Sequence, residues 1–238
     1  AKWIYKYALA SNKCVIFQNP DDLELFKNHG LVSSKVKCDR VHGSGVDTEY
    51  FAPSPLPDKP IFLLIARLLK DKGVHEYIEA AREVRKINPE ARFLLVGPYD
   101  PNPSAIHPKE VKSWVYEGVI EYLGEAEDVR SVIEGARFYV LPSYREGTPR
   151  TVLEAMSMGR PIITTDVPGC RETVVSGENG ILVPPKDANS LSEAMLRLIE
   201  DSDQAESMGR KSRQRAQEIF DVHKVNLEML KIMGLKTE

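Results

Sequence analysis

The sequence predicts an α/β protein of the doubly wound, Rossmann-like kind, built on a parallel sheet. Three observations predict it. Short apolar runs alternate with helix-period segments from residue 61 to residue 199. The runs open into loops carrying Gly or Pro, as strands buried on both faces do at their ends. Residues 138–165 read strand, loop, helix, strand, a crossover that makes the two strands parallel and places the loop at their carboxyl ends.

Composition bounds the rest. A chain of 238 residues, 42% hydrophobic and 28% charged, can bury a full core as a globular protein. With 35 acidic against 32 basic groups, no global field selects nucleic acid, so any anion site must be local. Cys14, Cys38 and Cys170 form an odd, scattered set without C-x-x-C spacing, which predicts a reducing compartment and no metal site. No apolar run is long enough to span a bilayer and the amino terminus lacks signal-peptide form. The expected location is cytoplasmic, with association at the inner membrane face compatible with it.

Taken in order, residues 1–9 are amphipathic and aromatic through Trp3, Tyr5 and Tyr7, and the absence of an initiating methionine suggests a fragment. Residues 15–17 read as a strand, Asn19-Pro20-Asp21-Asp22 as a capped turn, and 23–28 as a helix ended by Gly30. Val41-His42-Gly43-Ser44-Gly45-Val46-Asp47 carries glycines that permit backbone close to a ligand, and the prolines of 53–57 make a stiff connector. Residues 61–66 form a continuous apolar strand. A loop with Arg67 and Lys72 leads into a helix over 74–87, whose core face uses Tyr77, Ile78, Ala81 and Val84. The next strand, 92–96, ends at Gly97-Pro98, and a long loop precedes a helix over 109–117; His107 lacks partners at ligand spacing and reads as a loop residue. A strand over 119–123 opens at Gly124 into a loop and a helix over 127–135. Beyond the central unit lie a loop at 166–172, a strand at 180–184 and helices over 191–199, 208–220 and 222–233. Arg210, Lys211, Arg213 and Arg215 read as a solvated basic face.

The central unit is the most informative. Phe138-Tyr139-Val140-Leu141 is a buried strand stopped by Pro142. Thr148-Pro149 supplies an N-cap hydroxyl and a proline at the first helical position, so a helix should begin there, with the N–H groups of Arg150 and Thr151 free beside Arg145 and Arg150. Such a start suits a phosphate. Glu146 in the loop and Glu154 on the helix stand with seven residues between them. The neighbours of Glu154 are apolar, so its carboxylate must find a partner. Carboxylates repel phosphate and suit sugar or ribose hydroxyls.

The run REGTPRTVLEAMSMGRPIITT resembles the E-x7-E signature of the retaining, nucleotide-sugar-dependent glycosyltransferases of the GT-B fold, in particular family 4. R-L-x-x-x-K-G around Arg67 and Lys72 and the G-V-D-x-x-x-F segment from Gly45 are similar to further motifs of that family. The resemblance implies that residues 1–52 end an acceptor-side amino-terminal domain, that 53–220 form the donor-binding Rossmann-like domain, and that 221–238 form a closing helix. It further implies that Arg67 and Lys72 neutralise the donor diphosphate and that Glu146 holds the donor sugar, these three being the catalytic set. Glu154 would take the ribose, and the amides of Gly147, Thr148, Arg150 and Thr151 would orient the sugar phosphate. Gly45, Gly97 and Gly124 would lie at the nucleotide-sugar site, Gly124 bordering the base pocket.

The implied donor is a UDP-sugar and the acceptor a saccharide, free or linked to a polyprenyl diphosphate as in bacterial polysaccharide assembly. Membrane contact would come through the missing amino-terminal domain. The sequence offers no D-x-D pair in a suitable loop, whereas cationic side chains and a helix start supply positive charge directly, so no metal or other cofactor is expected. This fragment should bind nucleotide without turning over. A UDP-sugar epimerase or a non-catalytic nucleotide-sugar sensor shares the fold and the phosphate logic, but the epimerases lack this combination of motifs, and turnover separates the sensor.

Overall fold

The computed structural model describes residues 2–235. Helix α1 (Lys2–Ala10), strand β1 (Cys14–Phe17), helix α2 (Pro20–Asn28) and strand β2 (Lys37–Arg40) come first. β1 and β2 pair in parallel, Cys14 opposite Lys37, and a small apolar cluster of Phe17, Val32 and Val36 lies under them. β2 was not legible in the sequence because its KCDR is polar and half exposed, with no apolar alternation. α2 begins at Pro20, earlier than the apolar pattern implies, because Asn19 Oδ1 accepts from the Asp22 N–H at 2.8 Å as an N-cap.

Six strands make the main sheet: β3 (Ile61–Ile65), β4 (Arg92–Val96), β5 (Glu121–Tyr122), β6 (Phe138–Leu141), β7 (Ile162–Thr165) and β8 (Gly180–Val183). All are parallel, in the spatial order β5-β4-β3-β6-β7-β8. This is the Rossmann arrangement, and the order reverses between β3 and β6. The crossover from β3 to β4 therefore runs opposite to that from β6 to β7, and right-handedness puts their helices on opposite faces. Helix α3 (Val74–Ile87) packs with α7 (Ala188–Glu200), and α6 (Arg150–Ser157) with α8 (Ser202–Ile219). Every residue of β3, β6 and β7 is buried, as a sheet covered on both faces requires. Phe62 stacks on Phe93 and Phe138 of the flanking strands at centroid distances of 5.1 and 4.7 Å.

Around this sheet, helix α4 (Pro108–Tyr116) has His107 as its N-cap, and α5 (Arg130–Glu134) is shorter than the pattern suggests. α8 starts at Ser202, six positions before the apolar pattern reaches Met208, because Asp201 caps it through the Gln204 N–H at 2.8 Å. Helix α9 (Val222–Met233) is tied to the segment after Gly45. The Val46 N–H donates to Phe220 O at 2.8 Å, the Val222 N–H to Val46 O at 2.9 Å, and Thr48 Oγ1 to Asp221 Oδ2 at 2.7 Å.

The connector between these parts is held by arginines. Arg213 Nη1 donates to Thr48 O and Ser157 O, both at 2.8 Å, and to Phe51 O at 3.2 Å. Arg160, fully buried, donates to Ser54 O at 2.9 Å and to Pro55 O and Ala136 O at 3.0 Å. Arg137 donates to Pro57 O at 2.6 Å. The basic face expected on α8 is thus corrected. Arg213 turns inward to the connector and Arg215 donates to Glu172 O at 2.9 Å, while Arg210 stays exposed.

Candidate functional site

The loops after β3 and β6 meet at the point where strand order reverses, where open α/β sheets bind ligands. Backbone holds both in place. The Tyr144 N–H donates to Asp71 O at 2.8 Å and Ser143 Oγ to the same oxygen at 3.1 Å. Tyr144 OH donates to Glu76 Oε1 at 2.6 Å on the first turn of α3, and burial with that carboxylate pushes the phenol well up. Gly73, at φ +70°, sits where a Cβ would fall 2.0 Å from Pro142 O. From the other side the Glu146 N–H donates to Pro168 O at 3.0 Å, and a Cβ on Gly169 would fall 2.2 Å from Glu146 O.

On this frame Lys72 Nζ and Glu146 Oε1 stand 2.6 Å apart, each side chain 16% exposed. Arg67, from the same loop as Lys72, is 61% exposed and pairs with Asp100 at 2.9 Å. The structure therefore brings Lys72 to Glu146 and turns Arg67 toward the loop after β4.

Helix α6 begins differently from the expectation. Pro149 is the cap residue, at φ −71° and ψ 112°, and Thr148 does not cap. Its side chain is buried against Gly43, where a Cβ would lie 2.6 Å from Thr148 Cβ, and Thr148 Oγ1 has no partner among the described residues. The Pro149 carbonyl starts the helix, accepting from the Val152 and Leu153 N–H groups at 3.1 and 3.3 Å. Among the described residues the N–H groups of Gly147, Thr148, Arg150 and Thr151 make no hydrogen bond. The unpaired amides of Arg150 and Thr151 carry the partial positive charge of a helix start.

Glu154, one turn further along, lines a cavity of about 800 Å³ with Gly45, Asp47, Tyr50, Asp128, Arg150 and Thr151 among its walls. Burial pushes its carboxyl up, opposed by Arg150 at 3.9 Å. The Asp128 carboxyl, bound to Arg130, is held at about 2. Carboxylates dominate this wall, so the cavity suits hydroxyl and N–H donors and not phosphate.

Two of the glycines expected at the site are held by close packing, whereas a Cβ on Gly124 would meet nothing within 4 Å. Gly97, at φ +143°, lies where a Cβ would fall 1.9 Å from Ala66 O; its N–H donates to Gly124 O and its carbonyl accepts from Tyr122 OH, both at 2.8 Å. Gly45 packs on Val222, where a Cβ would meet Cα at 2.7 Å. Sequence reasoning missed the part played by the amino-terminal segment. Asn19, fully buried, caps α2 and also donates to Gly147 O at 3.2 Å, and Asp22 pairs with Arg145. The cap signal was legible, but a contact across 128 positions was not.

A family model described as glycosyl transferases group 1 matches residues 46–215. The chain belongs to the group 1 glycosyl transferases. Among curated relatives of this group 1 glycosyl transferase is the N,N'-diacetylbacillosaminyl-diphospho-undecaprenol alpha-1,3-N-acetylgalactosaminyltransferase of Campylobacter jejuni, 31% identical over 212 residues, covering 83% of this chain and 54% of the relative. A sucrose-phosphate synthase from Thermosynechococcus elongatus has the same fold at a TM-score of 0.83 and 27% identity, over 98% of this chain and 60% of that one. HepE of Anabaena, solved with UDP, matches at 0.84 and 21% identity over 93% of this chain and 64% of that one, which shows the GT-B fold alone. This group 1 glycosyl transferase chain spans about half the length of the curated relatives it matches.

Proposed function

We propose that the chain is the donor-binding part of a retaining, family 4 glycosyltransferase, which moves a sugar from a UDP-sugar to a saccharide or lipid-linked saccharide without a metal. One observation carries the reading: the N–H groups of Arg150 and Thr151, unpaired among the described residues, belong to residues that line the Glu154 cavity at the start of α6, and the loop leading into that start carries Glu146 of the Lys72–Glu146 pair. A nucleotide-sugar has the matching order of chemistry, with a hydroxylated sugar, a diphosphate and a ribose-bearing nucleoside. The nucleoside fits the carboxylate-lined cavity with its ribose hydroxyls on Glu154. The diphosphate meets the amides and Lys72, with Arg67 at the rim, and the sugar hydroxyls reach Glu146.

In transfer, the bond from the anomeric carbon to the β-phosphate oxygen breaks as the acceptor hydroxyl attacks from the same face. The acceptor's proton passes to the departing phosphate oxygen, so retention needs no protein nucleophile. Charge growing on that oxygen is stabilised by cations and amides already fixed in place. The acceptor class follows the name of the Campylobacter relative, whose substrate is a diphospho-undecaprenol saccharide. Such an acceptor would bring the whole protein to a membrane surface; among the described residues no helix is long and apolar enough to cross one. We place the donor-binding domain at 53–220, with the segment 221–238 closing it and 1–52 belonging to the acceptor side; residues 1 and 236–238 of these ranges lie outside the described residues.

The test is a calorimetric titration of the chain with UDP, GDP, ADP and CMP in EDTA and then in magnesium. Selective UDP binding that survives EDTA and weakens at least tenfold in both Lys72→Ala and Glu154→Ala is the expected result, a loss of about 1.4 kcal/mol for each. Failure of every nucleotide to bind overturns the reading for this chain.

A further inference from the structure

Lys72 and Glu146 are assigned above to different parts of one ligand, yet in the structure they hold each other. Their contact is short, at 2.6 Å, and largely shielded from solvent. An ammonium so placed is already neutralised when a nucleoside diphosphate arrives, and the carboxylate that neutralises it lies close enough to repel the incoming phosphate. The backbones on both sides are pinned. Gly73 is wedged on Pro142, Tyr144 is bonded to Asp71, and Glu146 is bonded to Pro168 and backed by Gly169. The pair can therefore separate only by side-chain rotation, with the loops staying where they are.

Resting on the reading above, we infer that Glu146 is an internal counter-ion competing with the diphosphate for Lys72, so that the site favours the sugar-bearing nucleotide over the bare nucleoside diphosphate left after transfer. An intact donor offers Glu146 sugar hydroxyls in exchange for Lys72, and both groups end with a partner. A bare nucleoside diphosphate offers Glu146 nothing. It must take Lys72 from a carboxylate that is then left beside a phosphate. When the sugar departs, the carboxylate returns to the ammonium and weakens the hold on the product. Glu146 thereby links recognition of the sugar to release of the nucleotide.

The experiment compares UDP and uridine binding by calorimetry, in EDTA and at low salt, to the unaltered chain, Glu146→Gln, Lys72→Met and the double variant. Glu146→Gln should bind UDP about fivefold to tenfold tighter, the scale of one partly shielded ion pair. Its affinity for uridine, which has no phosphate, should be unchanged, and the gain should vanish in the double variant. If Glu146→Gln loses its cooperative melt, Glu146→Asp, which draws the carboxylate back by one methylene, carries the same comparison with a smaller gain. UDP binding that is unchanged or weaker in the Glu146 single variants overturns the inference and leaves the nucleotide reading standing. An equal gain for uridine overturns it as well. Binding of UDP to none of the proteins, the unaltered chain included, overturns the nucleotide reading itself.

Discussion

Glu154 holds its carboxyl in a place that disfavours the charged form. Burial raises its titration point and Arg150, mostly exposed, only partly offsets that. A carboxyl raised on folding contributes stability that is present below the ordinary carboxylate range and is lost as pH rises through the raised value. Glu154→Gln should therefore melt higher than the unaltered chain at neutral pH, with the difference closing in mild acid, while nucleotide binding weakens. Calorimetric Tm values for both proteins across that range check it; equal melting at neutral pH would mean the charge is fully compensated. The sequence already marked this residue, since a carboxylate among Leu153, Ala155 and Met156 stands out in any amphipathic pattern. Arg213 carried no such mark. An arginine on a polar helix looks the same whether it faces water or reaches two carbonyls on a distant segment and a third on α6.

Among the elements, those whose pattern is internal were legible and those defined by pairing were not. The helix over 74–87 and the strands at 92–96, 138–141 and 162–165 follow from apolar spacing and turn residues alone, and the structure keeps their bounds. β2 exists because β1 lies beside it, and β5 is trimmed to two residues where pairing with β4 stops. At α6 the local signal was misread by one position. Thr148 has the chemistry of a cap, but its side chain is taken by the close approach of Gly43, and Pro149 caps with its carbonyl alone. The glycine ending β4 gives a prediction at this scale. Gly97→Ala puts a methyl 1.9 Å from Ala66 O in a backbone region alanine avoids. It should lose about 3 kcal/mol or more in urea unfolding. A loss under 1 kcal/mol, on the order of an ordinary surface change, would mean that the strand ends yield.

For the molecule as a whole, the sheet and both helical layers could be anticipated from order alone, whereas the path of residues 48–57 could not. Prolines at 53, 55 and 57 suggest stiffness without direction. Direction comes from Arg213, Arg160 and Arg137, which sit on α8 and on the segments leading into β7 and β6. Arg160 is the deepest of these, and burial lowers its guanidinium to about 10. Arg160→Met should cost about 3 kcal/mol in urea unfolding by leaving carbonyls of Ser54, Pro55 and Ala136 unpaired. Limited proteolysis should then cut first within 48–57; unaltered cleavage there would mean that the prolines alone hold the path. What these arginines grip is peptide carbonyl, a group every residue offers. The route of the connector is thus written outside the connector. Its own letters could drift widely and still be threaded along the same course, while the same ten residues moved into a scaffold without the three guanidinium groups would wander.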